Sequence, residues 1–286
     1  MEFFSRQKEM LGSLIEIKLP SDSDKIFGEC FSEISRFENE YSRFIEASIL
    51  SKMNSNLGKW HSATKEMIFL LEKAEGYMQR TEGNFDITLK DALDRLGYDS
   101  IYSFSEKPFV NKEHIVEPVV IDKSKMRVML HKEIDFGGFG KGYALDCVSD
   151  ILDRSGIQNF YINAGGDIYA KGVWEVLLEH PDDPKKAIGK ISLDSCAIAG
   201  SSSNRRKWDG HHHLINARTM LPQNSVKAIF VIADNGIDAD AYATGIFTAG
   251  FEEGIEISRN LQVKVFIISS NNKMYKSPGF QAEFFM

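Results

Sequence analysis

The chain has 286 residues, 43% of them hydrophobic, and a formal net charge of -7, so it can bury a full core as one large domain or two ordinary ones. The acidic balance and the lack of a lysine- or arginine-rich tract exclude a nucleic-acid footprint, which needs a continuous basic surface. No apolar run approaches the roughly 20 residues that span a bilayer, so a membrane segment is excluded as well.

Met1 to Arg6 lacks the basic-then-apolar order of a signal peptide. Cys30, Cys147 and Cys196 are odd in number and widely spaced, which indicates neither a disulfide framework nor a zinc site. Cys30 and Cys147 fall in helical patterns and read as small core residues. A reducing, cytoplasmic setting is expected.

Taken in chain order, Leu14 to Leu19 alternates as a strand and Asp24 to Glu40 has helical periodicity. Thr64 to Thr81 is a second amphipathic helix, stopped by Glu82-Gly83-Asn84. A short helix at Lys90 to Leu96 precedes an irregular stretch, Ser103 to Pro118, and strands at Val119 to Ile121 and Met126 to Leu130. Tyr143 to Arg154 is helical, and Asn159 to Asn163 is a strand joined through Gly165-Gly166 to a hairpin partner at Asp167 to Ala170. Further strands are expected at Trp174 to Leu178, Lys190 to Leu193, Ala228 to Ala233 and Val263 to Ser269, with helices at Asp240 to Ala249 and Glu252 to Asn260. Hairpins mixed with helices predict an α+β fold, one interwoven domain over residues 1–286.

The glycine-rich turn Asp135 to Asp146 carries the strongest chemical signal. Lys141 stands where a helix begins, and a cation there adds to the positive end of the macrodipole unless an anion occupies the turn. A phosphate is the natural anion. The alternative is a flexible turn with a solvated lysine, but Gly137, Gly138, Gly140 and Gly142 lie close together behind an acid. A P-loop would need glycine at 135 and a hydroxyl at 142, where Asp135 and Gly142 stand. A dinucleotide fingerprint read from Gly138 meets Tyr143 where its third glycine belongs.

Asp240 and Thr244, four residues apart, project from one helix face and offer hard oxygens suited to magnesium or manganese. Asp238 or Asp240 would serve equally well as a helix N-cap. His211, His212 and His213 cannot converge on one metal in extended chain. One of them could accept a proton, while His211 and His212 read as a wet loop.

Together these segments resemble the ApbE family of magnesium-dependent FAD:protein FMN transferases over nearly the whole chain. Met10-Leu11-Gly12-Ser13 resembles the opening M-G-T, and Ser42-Arg43-Phe44 with Ser48 to Asn54 resembles S-x-F…S-x-L-S-x-L-N. Thr81 to Asp86 is similar to T-x-G-x-F-D, Asp135 to Asp146 to D-L-G-G-I-A-K-G-Y-A-x-D, Asn163 to Asp167 to N-x-G-G-D, and Ala239 to Thr244 to A-D-A-L-S-T. His213 and Ile215 match H-I-I-D-P-x-T-G, where Asn216, Ala217 and Met220 depart from Asp, Pro and Gly. Ser201 to Arg206 stands in for T-S-G-D-Y-x-R.

The resemblance implies a mixed-sheet, T-fold-like architecture, FAD as substrate, AMP as product and an acceptor protein bearing a threonine or serine. It implies that Asn84, Phe85, Asp86, Asp135, Lys141, Gly165, Gly166, Ile215 and Ala243 line the flavin dinucleotide pocket. It places a magnesium ion on the Gly138 carbonyl and the side chains of Asp240 and Thr244, with Lys141 and Asp240 in the catalytic centre and His213 as base. The family's usual lipoprotein signal is absent from this sequence, implying a cytoplasmic member or a trimmed chain. The rival readings are a metal-dependent FAD pyrophosphatase and a flavin-binding protein without turnover.

Overall fold

The structure is a computed structural model that describes residues 2–20, 22–108, 117–204 and 206–285. Residues 109–116, in the middle of the expected irregular stretch, and Arg205 lie outside the described residues.

A hairpin of β1 (Phe4–Met10) and β2 (Ser13–Leu19) leads into α1 (Asp24–Tyr41), α2 (Ile49–Asn54), β3 (Trp60–Ser62), α3 (Lys65–Arg80) and α4 (Lys90–Arg95). Next come β4 (Val119–Asp122), β5 (Arg127–Leu130), α5 (Gly140–Arg154), β6 (Phe160–Ala164), β7 (Asp167–His180) and β8 (Asp183–Ser202). Four short pieces follow, β9 (Lys207–Trp208), β10 (His211–His212), β11 (Ile215–Asn216) and β12 (Leu221–Pro222). The chain closes with β13 (Val226–Ala233), α6 (Gly236–Ala249), α7 (Phe251–Leu261), β14 (Lys264–Ser269), β15 (Met274–Lys276) and β16 (Glu283–Phe284).

Among the described residues a nine-stranded antiparallel sheet runs β1-β2-β6-β7-β8-β13-β14-β15, with β16 paired to β8. Period-2 alternation decides its faces. Ile229, Val231, Val265 and Ile267 join Ile237, Ala241 and Ile246 of α6 in the main core. Ile168, Val176, Ile198, Phe230 and Phe266 point the other way and are covered by the chain around Phe280. Helix α6 is buried on nearly every side, as an apolar helix enclosed by a sheet and other helices must be. The fold is α+β.

Several expected elements differ in extent. The strands expected at Asp167 to Ala170 and Trp174 to Leu178 are one strand, β7, with its register shifted between Ala170 and Val173 against β8; a bulge at Gly172 hid the continuity. Lys190 to Leu193 is the middle of the 20-residue β8. Strand β1 gave no alternating signal because its polar residues face outward at the sheet edge. Its turn, Leu11-Gly12, has φ of 53° and 63°, the left-handed pair of a two-residue hairpin.

Candidate active site

Helix α5 begins at Gly140, three residues earlier than expected, so Lys141 and Gly142 lie in its first turn. Helix α6 begins at Gly236, four residues earlier than expected, and its N-cap is Asn235, whose side chain accepts the Asp238 N–H at 2.8 Å. Neither Asp238 nor Asp240 is therefore the cap. Asp238 accepts hydrogen bonds from Tyr77 and Lys73, while Asp240 turns toward α5.

The two helix starts cross at glycines. A Cβ on Gly142 would fall onto the carbonyl oxygen of Gly236, and one on Gly236 onto that of Gly142. Each helix supplies an acid to the other's unpaired N–H groups. The Asp240 carboxylate accepts the Gly142 N–H at 3.0 Å, and Asp146 accepts those of Gly236 and Ile237, the latter at 2.9 Å. Burial pushes the Asp146 carboxyl up to about 6, against the pull of these two donors.

The anion demanded by Lys141 is supplied from inside the protein. Its ammonium bonds the Asp167 carboxylate and stands 3.6 Å from Asp240 Oδ2. Burial draws the Lys141 pKa down, but Asp167 and Asp240 outweigh it and leave the lysine above its ordinary value. Burial also pushes Asp240 up, with Lys141 opposing and Asp167 reinforcing the shift. Lys141 is thus one cation shared by two enclosed carboxylates, with the Arg206 charge acting on it as well.

A cavity of about 850 Å³ opens beside this cluster. Asn84, Asp86, Asp135, Gly138, Lys141, Gly165, Gly166, His213, Ile215, Asp240 and Thr244 all line it, so the structure gathers these expected site residues on one cavity. Phe85 and Ala243 do not line it. Phe85 is 1% exposed and packs on Tyr77 and Phe139 at ring separations of 5.6 and 5.8 Å, and Ala243 is fully buried in the same core. Both support the wall from behind because their apolar side chains gain more from the core than from a polar pocket.

Thr244 donates its hydroxyl to the Gly138 carbonyl at 3.1 Å, bringing two of the three expected metal oxygens together, one helical turn from Asp240. Asn84 donates to Glu253 at 2.7 Å and to the Thr81 carbonyl at 3.0 Å, while its own buried Oδ1 has no partner among the described residues. His213 lies against Tyr98 at a ring separation of 6.0 Å, and its buried Nδ1 likewise lacks a partner. Burial, then the charges of Arg206, His212 and Lys141, hold His213 well below its ordinary pKa. His212 departs from the wet-loop expectation: it is 1% exposed, accepts the Leu214 N–H at 3.2 Å and meets Phe247 edge-on.

Asp135 is held rather than free. Arg43, 5% exposed, reaches Asp135 at 3.0 Å, Asp94 at 2.7 Å and the Tyr98 carbonyl at 2.6 Å. Lysine lacks this planar fork. Arg43→Lys is expected to lower stability by about 1.5–3 kcal/mol, the worth of a hydrogen bond to a charged group, read from a urea denaturation midpoint.

The family model of the ApbE family matches residues 11–267. The chain belongs to the ApbE family. An FAD:protein FMN transferase of Klebsiella pneumoniae (strain 342) is 24% identical over 292 residues, covering 96% of this chain and 92% of that protein. One of Escherichia coli (strain K12) is 27% identical over 229 residues, covering 71% and 65%. Among solved structures, the ApbE protein of Thermotoga maritima superposes with a TM-score of 0.89 at 26% identity over 98% of each chain. The flavin transferase ApbE of Vibrio cholerae gives 0.83 at 22% identity, again over 98% of each, and supports the fold.

One departure from the ApbE motifs has a local explanation. Asn216 accepts the Arg218 and Thr219 N–H groups, each at 3.0 Å, and donates to the Thr248 carbonyl at 2.9 Å, so the turn is closed from within. Met220, where the motif carries glycine, adopts φ 56°, a backbone conformation unfavourable to a side chain. Sequence reasoning did not single out Asp167, Arg43 or Arg206. Asp167 sat inside a quoted motif, and a buried lysine's need for a second acid was the signal that could have found it.

Proposed function

We propose that this chain is a magnesium-dependent FAD:protein FMN transferase, which cleaves FAD at its pyrophosphate, releases AMP and esterifies FMN onto a threonine or serine of an acceptor protein. One observation carries the reading: Lys141, in the first turn of α5, shares a cavity of about 850 Å³ with three hard oxygen donors from Gly138, Asp240 and Thr244. The names of the family relatives support the substrate class. Three free cysteines suit a reducing compartment, and we place the activity in the cytoplasm.

The donor set fits a hard divalent cation, since a carbonyl, a hydroxyl and a carboxylate are all hard oxygen donors and the Thr244 and Gly138 oxygens already meet. Bound there, the metal would supply Lewis-acid neutralisation of phosphate oxygens. Lys141, already paired with Asp167 and Asp240, faces the cavity in which the pyrophosphate would be oriented. The acceptor hydroxyl oxygen forms a bond to the FMN phosphorus while the bond from that phosphorus to the bridging oxygen breaks, and AMP leaves with the bridging oxygen. His213 takes the hydroxyl proton; held neutral by its surroundings, it is in the form a base requires.

Incubation with FAD, magnesium chloride and a co-supplied acceptor protein tests the reading by mass spectrometry. An FMN-sized mass gain on the acceptor is expected; free FMN with AMP would show a pyrophosphatase, and unchanged FAD a binder. His213→Gln is expected to slow transfer about 10²-fold while leaving FAD affinity near wild type, since it removes a base and not a binding charge. Because the neutral form is active and the His213 pKa lies below 6.5, the wild-type rate at saturating magnesium should hold as pH falls from 7 to 6.5. A rate that halves near 6.5 would contradict a His213 held well below its ordinary pKa.

A further inference from the structure

We propose that Asp167 is a positioning residue: its carboxylate takes the hydrogen bond of the Lys141 ammonium, leaving that ammonium a longer ion pair with Asp240, and so keeps Asp240 available to a divalent cation. This rests on the metal assignment proposed above. Three elements converge here, β7 through Asp167, α5 through Lys141 and α6 through Asp240. The ammonium is hydrogen-bonded to Asp167 Oδ2 and stands 3.6 Å from Asp240 Oδ2. The side chains of Asp167 and Asp240 are 4% and 5% exposed, so both charges are largely enclosed by protein. Asp167 is itself fixed, its Oδ1 accepting the Gly200 N–H at 3.2 Å, and Asp240 is fixed by the Gly142 N–H.

A lysine ammonium is a compact point charge that rivals a metal for the same carboxylate. Counted by formal charge, the three side chains sum to −1, and the ammonium's hydrogen bond goes to the acid that is not a metal ligand. Without the Asp167 charge the sum is zero and the ammonium has only Asp240 to pair with. A dication would then have to displace it. Removing the lysine as well returns the sum to −1, and removing the lysine alone gives −2.

Titration of the full-length protein with manganese, followed by electron paramagnetic resonance without FAD, separates these cases. Asp167→Asn keeps an acceptor for the Gly200 N–H and is expected to bind manganese at least about tenfold more weakly, the effect of losing an outer-shell partner of a metal ligand. Lys141→Met in the Asp167→Asn background should restore binding close to the wild-type value, which repair of a merely structural defect would not do. Lys141→Met alone should bind more tightly than wild type, and this variant decides the matter if Asp167→Asn fails to fold. Wild-type affinity in Asp167→Asn, no recovery in the double variant, or weaker binding in Lys141→Met would each overturn the proposal. A wild-type protein that takes up no manganese would instead remove the metal assignment on which it stands.

Discussion

Asp240→Asn is expected to abolish flavin transfer while the protein still folds. The amide keeps an oxygen for the Gly142 N–H, so the cap on α5 survives, but the negative charge beside Lys141 is lost. Metal affinity should fall by more than about 100-fold, the upper figure for losing only an outer-shell contact, and AMP release should drop to background. Thermal unfolding should stay near wild type or rise, because a buried carboxylate that burial pushes toward protonation is replaced by a neutral group. Full activity in this variant would refute the assignment of Asp240 as a ligand, and a collapsed melting temperature would mean that its charge is structural.

Gly142→Ala should be strongly destabilising for a substitution that adds a single methyl group. The new Cβ would strike the Gly236 carbonyl and approach Asp240 Cβ to 2.8 Å. Overpacking usually costs about 1–3 kcal/mol because side chains shift aside, but here the obstacle is backbone, so more than about 3 kcal/mol is expected. Chemical denaturation would measure it. A variant within about 1 kcal/mol of wild type would mean that the helices can separate without penalty, against the close packing of interiors.

The expected helices with clear periodicity were read well from sequence, and the reasons are local. Thr64 and Thr81 flank α3, with the Thr64 hydroxyl accepting the Met67 N–H at 3.0 Å. Strands were less legible where one element looked like two, as in β7, or where edge exposure removed alternation, as in β1. The α6 start was misplaced because its hydrophobicity surrounds the helix and gives no phase. At the site, a motif records which residues travel together but does not separate a wall residue from the one behind it. Hence Phe85 and Ala243 were placed in the pocket, while Asp167, Lys141's partner across 26 positions of sequence, was not singled out.

The exchange of carboxylates between α5 and α6 makes the pocket indivisible. Gly142 and its acceptor Asp240 are 98 positions apart in the chain, and Gly236 and Asp146 are 90 apart. A fragment holding the glycine turn alone would keep the motif yet leave its first amides bare and its lysine without either of its two acids. Nucleotide affinity should therefore arise in a single step, when distant halves of the polypeptide meet, and not build up gradually as the chain acquires structure.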